Sequence, residues 1–263
     1  MVEGDPGAYY ERVDEGRFRP TARASGAWNV AEQHISPLNG LVVHEVQRRL
    51  AEREDDDRLI SRLAVEILGV LLMDVFEIHV EVVRPGRTIE LLEATVRADD
   101  RAAVRTRIWR LAAFDTASVA GGAPDPLPAP DEPAGRSLAA VWPGGYVASL
   151  DVRFLDPPEP GRARAWVATD VELVAGESAS DLARFVGLID TANGLSVREP
   201  NTQWLFPNVD LAVHLHRPPI GRVVGFDTQV VFGPSGQGVT TSVLHDREGA
   251  VGTAHQLLTV RRR

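Results

Sequence analysis

Twice along this chain, a run with helical apolar spacing is accompanied by runs in which apolar and polar residues alternate. No other feature narrows the possible fold as much. In the first half, Leu38, Leu41, Val42, Val46 and Leu50 fall on one helix face, with His44, Gln47, Arg48 and Glu52 between them, which predicts an amphipathic helix. Pro37 suits its first turn, where a missing N–H does no harm. Beyond the charged run from Glu52 to Arg58 the period changes. Phe76, Ile78, Val80 and Val82 alternate with Glu77, His79 and Glu81, the two-residue repeat of a half-buried strand. Turns at Pro85-Gly86 and Ala98-Asp99-Asp100 lead into further strands over 88–97 and 103–111. In the second half, strand-like stretches at 147–154 and 163–173 precede a helix whose Leu182, Phe185, Val186 and Ile189 share a face, with Asn193-Gly194 as its stop. Four more strands follow, over 209–216, 222–232, 238–245 and 250–260, separated by turn-forming residues.

Between the halves lies TASVAGGAPDPLPAPDEPAG, residues 116–135, with five prolines, three glycines and no apolar period. It reads as a linker. The expected organisation is an N-terminal module over 1–115, the linker, and a C-terminal module over 136–263. Each module is an α+β unit of one helix on an antiparallel sheet, and two such units can join sheet edges into one continuous sheet, removing an exposed edge from each.

Composition removes several chemistries. The 263 residues include no cysteine and no lysine, so all 28 basic residues are arginine. Thiol nucleophiles, zinc thiolates and Schiff-base lysines are excluded. A net charge of −9 argues against nucleic-acid binding, which draws on an excess of positive charge. No window is long and apolar enough for a membrane span, and the charged N-terminus has no signal-peptide core, so the expected location is cytoplasmic. No cofactor is expected.

Three stretches carry a resemblance. Phe18-Arg19-Pro20-Thr21 with Gly26-Ala27-Trp28 precedes the first helix. Val82-Val83-Arg84-Pro85-Gly86-Arg87 forms a hairpin tip. The run from Asn208 to His216 is followed about 30 residues later by the run from Asp246 to Gln256. In this order, with the helices between them, they resemble the double hotdog fold of the acyl-CoA thioesterase II family, over about Tyr9 to Arg261. The resemblance implies hydrolysis of an acyl-CoA thioester by a water held between an aspartate, a serine or threonine and a glutamine, with backbone N–H groups at a helix start polarising the carbonyl. On that basis Asp210 matches the aspartate and Gln256 the glutamine. The hydroxyl position falls at Val231, and the nearest candidate is Thr228. At the first helix the family shows a histidine or phenylalanine followed by two glycines, whereas this chain has His34-Ile35-Ser36-Pro37-Leu38-Asn39-Gly40. Ser36, Asn39 and Gly40 are the expected substrate-binding residues there. An acyl or acyl-CoA binding protein without hydrolytic activity is the alternative, and a homodimer is expected for either.

The residues themselves set limits on these roles. Leu211, Val213 and Leu215 must face the core, which puts Asp210, Ala212, His214 and His216 on the other side of their strand. Two histidines and an aspartate on one face invite a metal, but no further ligand is evident and none is expected. Glu45, on the first helix, is a backup acid or base, or an ion-pair partner of Arg48 or Arg49. For the phosphates of coenzyme A the candidate cations are Arg84 and Arg87, Arg217 and Arg222, and Arg261 to Arg263, since guanidinium pairs phosphate through two N–H groups.

Overall fold

The structure is a computed structural model that describes residues 6–51, 53, 56–129 and 137–263. Glu52, Glu54 and Asp55 of the charged run and residues 130–136 of the expected linker lie outside the described residues. In chain order the elements are β1 (Ala8–Asp14), β2 (Arg17–Pro20), α1 (Ile35–Leu50), β3 (Leu59–Ile67), β4 (Phe76–Arg84), β5 (Ile89–Ala98) and β6 (Arg101–Leu111). There follow α2 (Gly145–Ala148), β7 (Leu150–Phe154), β8 (Arg162–Thr169), β9 (Glu172–Val174), α3 (Asp181–Ile189), α4 (Ala192–Leu195), β10 (Trp204–Leu205), β11 (Asp210–Leu215), β12 (Val223–Phe232), β13 (Gln237–Asp246), β14 (Gly249–Thr259) and β15 (Arg261–Arg262).

Thirteen strands form one sheet in the order β7-β8-β12-β13-β14-β11-β3-β6-β5-β4-β2-β1-β9. The halves join where β11 pairs antiparallel with β3, Leu211 opposite Val65 and Val213 opposite Leu63. They join again where β9 adds parallel to β1. Alternation does what the sequence requires: Leu63, Val65, Leu211 and Val213 are buried on the helix side, while Glu66 lies on the other face. The turn at Asp99 and Asp100 places both in the left-handed region, φ 49° and 61°, which short polar side chains tolerate. The 147–154 stretch departs from expectation: its start is the helical turn α2, and only Leu150–Phe154 is strand. The strand expected over 163–173 is divided between β8 and β9.

Helix α1 is buried from Ser36 through Val46, because the sheet wraps one side and α3 covers the other. The two helices touch at their glycines. A Cβ added at Gly40 would sit 2.7 Å from the Ala183 carbonyl oxygen and 2.8 Å from the Gly187 Cα, distances that no side chain permits between backbones. Gly40, expected at the substrate, is therefore the contact that lets the helices close. Two buried ion networks tie α1 and its surroundings. Glu45 meets Arg12, Arg48 and Arg49, and Arg12 passes on to Glu177, so Glu45 takes the ion-pair role. Arg110 donates to Glu90 at 2.6 Å and to Asp56 at 2.8 Å.

Candidate active site

Helix α3 stops at Ile189, earlier than the expected Asn193-Gly194, and the next residue is Asp190. Its carboxylate is 7% exposed and lies where the helix dipole is negative, a poor place for a second negative charge. Two carboxamides converge on one of its oxygens. Gln256 Nε2 donates to Asp190 Oδ1 at 2.7 Å and Asn208 Nδ2 to the same atom at 2.8 Å. Burial pushes the Asp190 pKa up to about 7, against the lowering effect of the two donors, and Asp210 adds a small upward push. With Oδ1 committed as an acceptor, the proton, when present, belongs on Oδ2.

Asp190 and Asn208 line a cavity of about 450 Å³, while Gln256 stands behind them and does not line it. Apolar walls come from Ile67, Leu68, Leu71, Val147 and Leu205, and aromatic ones from Trp28 and Trp142, whose rings meet edge to face at 4.8 Å. The start of α1 forms another wall through His34 and Ile35. Of the donors that a helix start leaves without intrahelical partners, the His34 N–H bonds the Ala24 carbonyl at 2.8 Å and the Ser36 N–H bonds His34 Nδ1 at 3.1 Å. Pro37 has no N–H, which leaves the amide of Ile35. Since His34 Nδ1 accepts, its proton sits on Nε2; burial lowers the His34 pKa to about 3, so the ring is neutral. Tyr146 fixes the two sides of the site relative to one another. Its ring lies 4.2 Å from that of His34, and its hydroxyl meets Thr191 Oγ1 at 2.7 Å, next to Asp190.

Of the residues expected from the sequence, Gln256 is at this cluster, 1% exposed and on the helix side of β14 with Ala254 and Leu258. Asp210 is not. It lies on the outer face of β11, where Oδ1 accepts the Leu257 N–H at 2.6 Å. Asp210 and Gln256 therefore occupy opposite faces of the sheet, and the expected pairing gives way to Asp190 with Gln256. Thr228 does face inward, but its hydroxyl bonds Ser242 at 2.7 Å and it does not line the cavity. Val231 points out, 53% exposed. The third corner of the cluster is Asn208. Ser36 and Asn39 are buried along α1 and do not line the cavity, nor do the exposed Arg84 and Arg87. Asp190 and Asn208 went unassigned in the sequence, although an acid directly after an apolar helix face and an asparagine directly before a strand mark element ends, where sites form.

Comparison with known families is decisive. Residues 24–111 match the acyl-CoA thioesterase N-terminal domain and residues 120–260 the acyl-CoA thioesterase C-terminal domain. The chain belongs to the acyl-CoA thioesterase family. Among solved structures it is similar to an acyl-CoA thioesterase II from Mycobacterium marinum, with 14% identity, 98% of this chain and 96% of the other covered, and a TM-score of 0.65. It is also similar to a hotdog-fold protein of unknown function from Alicyclobacillus acidocaldarius, at 15% identity, 99% and 98% coverage and a TM-score of 0.72. At these identities the likeness establishes the fold, a double hotdog. No curated protein matches the chain.

Proposed function

We propose that this acyl-CoA thioesterase family member hydrolyses acyl-CoA thioesters with a water activated by Asp190, held in place with Gln256 and Asn208. The observation that carries the reading is a buried carboxylate at the wall of an apolar cavity, with two carboxamide donors fixed on one oxygen. In the ionised form, the free side of Asp190 takes a proton from water. Gln256 Oε1, which has no hydrogen-bond partner among the described residues, accepts the other. The water oxygen attacks the thioester carbon, and the C–S bond breaks to give the acid and the thiol. A carboxyl whose pKa is near 7 suits both halves of the cycle: it is ionised often enough to act as base and acidic enough, once protonated, to return the proton to the leaving sulfur. The Ile35 amide and the His34 Nε2–H supply neutral donors for the oxyanion at the α1 start, where a helix N-terminus favours negative charge. The acyl chain takes the apolar side of the cavity.

The test is thiol release from a panel of acyl-CoAs, with pH varied. Turnover should rise with pH along a limb centred near 7, and Gln256→Ala should lower it at all pH values. Tight acyl-CoA binding with no thiol release from any member of the panel would reject hydrolysis in favour of a binding protein.

A further inference from the structure

Among the described residues, the cavity wall carries one permanent cation. Of the described residues that line it, Arg261 is the sole arginine, against the acidic Glu32 and Asp190, in a chain of net charge −9 without lysine. Strand β15 places it, pairing with β10 so that Arg261 stands opposite Leu205, another lining residue. Arg261 Nη1 donates to Thr259 Oγ1 at 3.0 Å, which steadies one edge of the guanidinium, and no carboxylate pairs with it among the described residues.

The other candidate cations are engaged elsewhere. Arg217 grips both oxygens of Asp246 at 2.6 Å. Arg262 lies over the Trp204 ring at 5.4 Å, and Arg263 donates to the Asn201 carbonyl at 3.1 Å. Arg84 donates to the Ile89 carbonyl at 2.9 Å on its hairpin, and neither Arg87 nor Arg222 lines the cavity. Arg261 is exposed whereas Asp190 is buried, so a line from the carboxylate to the guanidinium runs from the interior to solvent. A thiol leaving group must take such a path, because its sulfur reacts at Asp190 and its charged end cannot be desolvated without a partner. Leu68 and Val70, exposed and also lining the cavity, have the character of a seat for hydrocarbon.

We infer that Arg261 anchors the phosphate of the pantetheine arm of the leaving group, a positioning role that rests on the thioesterase reading. The phosphate is the same chemistry whether the arm belongs to coenzyme A or to a carrier protein. Four substrates with one acyl group separate the cases: acyl-CoA, acyl-carrier protein, acyl-4′-phosphopantetheine and acyl-pantetheine. Arg261→Ala should raise KM by about tenfold or more for every phosphate-bearing substrate that the native protein hydrolyses. It should leave kcat and the KM of acyl-pantetheine unchanged. Arg261→Lys keeps the charge without the fork and should recover part of the loss. Which of the first two substrates the native protein accepts identifies the source of the arm. An equal KM rise for acyl-pantetheine, or none for the phosphate-bearing substrates, overturns the assignment. Calorimetry with free coenzyme A reads the anchor without chemistry. Weaker binding by Arg261→Ala upholds it even if no thioester is hydrolysed, while unchanged binding, or no binding by a native protein that also hydrolyses none of the phosphate-bearing substrates, refutes it.

Discussion

Asp190→Asn should remove activity and stabilise the protein, and the two effects have one cause. In the folded chain the Asp190 pKa is raised from the ordinary 3.8 to about 7, chiefly by burial. A raised carboxyl pKa means that the stabilising contribution of the protonated form is complete below about pH 4 and is lost as pH rises through about 7. With these two values the ionisation cost is about 2 kcal/mol at pH 5 and about 4 kcal/mol at pH 8. Asparagine cannot ionise, and its carboxamide oxygen can still accept from both Gln256 and Asn208. The variant should therefore melt above the native protein by a few degrees at pH 5 and by about 8–16 °C at pH 8, given roughly 2–4 °C per kcal/mol for a chain of this size. Thiol release from acyl-CoA should fall by about 10²- to 10⁴-fold, the usual worth of a general base. Calorimetric melts of both proteins at pH 5, 6, 7 and 8, with parallel assays, measure both. A melting difference that is flat with pH, or a variant with native turnover, would refute the reasoning.

Three further outcomes follow from the packing. Asp210→Asn should retain near-native turnover, because the outward side chain still accepts the Leu257 N–H through a carboxamide oxygen; a loss as large as that of Asp190→Asn in the same assay would return Asp210 to the mechanism. Gly40→Leu should destabilise the fold by about 3 kcal/mol or more in chemical denaturation, since the added atoms must separate α1 from α3. Arg110→Ala leaves Glu90 and Asp56 without their shared partner and should cost about 3–5 kcal/mol in the same measurement, whereas replacing Arg110, Glu90 and Asp56 together with apolar residues should cost much less.

How far the site was legible depends on which residues are considered. The period of α1 and of the strands β4 to β6 and β11 to β14 was open to view, because the apolar pattern is a local consequence of one buried face. Strands β1 and β2 have a different origin. They are short, and their pairing partners β4 and β9 lie far along the chain, so nothing local announces them. Asp210 shows the limit most clearly. Alternation correctly put it on the face away from Leu211, but whether that face meets a cavity or solvent is decided by what packs there. Gln256 was recognised, yet its partner was not, because Asp190 stands 66 residues away and reaches it only when α3 lies across the sheet.

The sequence alone determined the repeated helix-and-sheet order and a chemistry without thiol or lysine, since spacing and composition are properties of the chain itself. Tertiary structure decided which carboxylate is buried, which glutamine face points inward and which arginine stands at the cavity wall. Those depend on burial and on contacts between distant segments, and a pKa near 7 for an aspartate exists only once the surrounding protein has taken its water away.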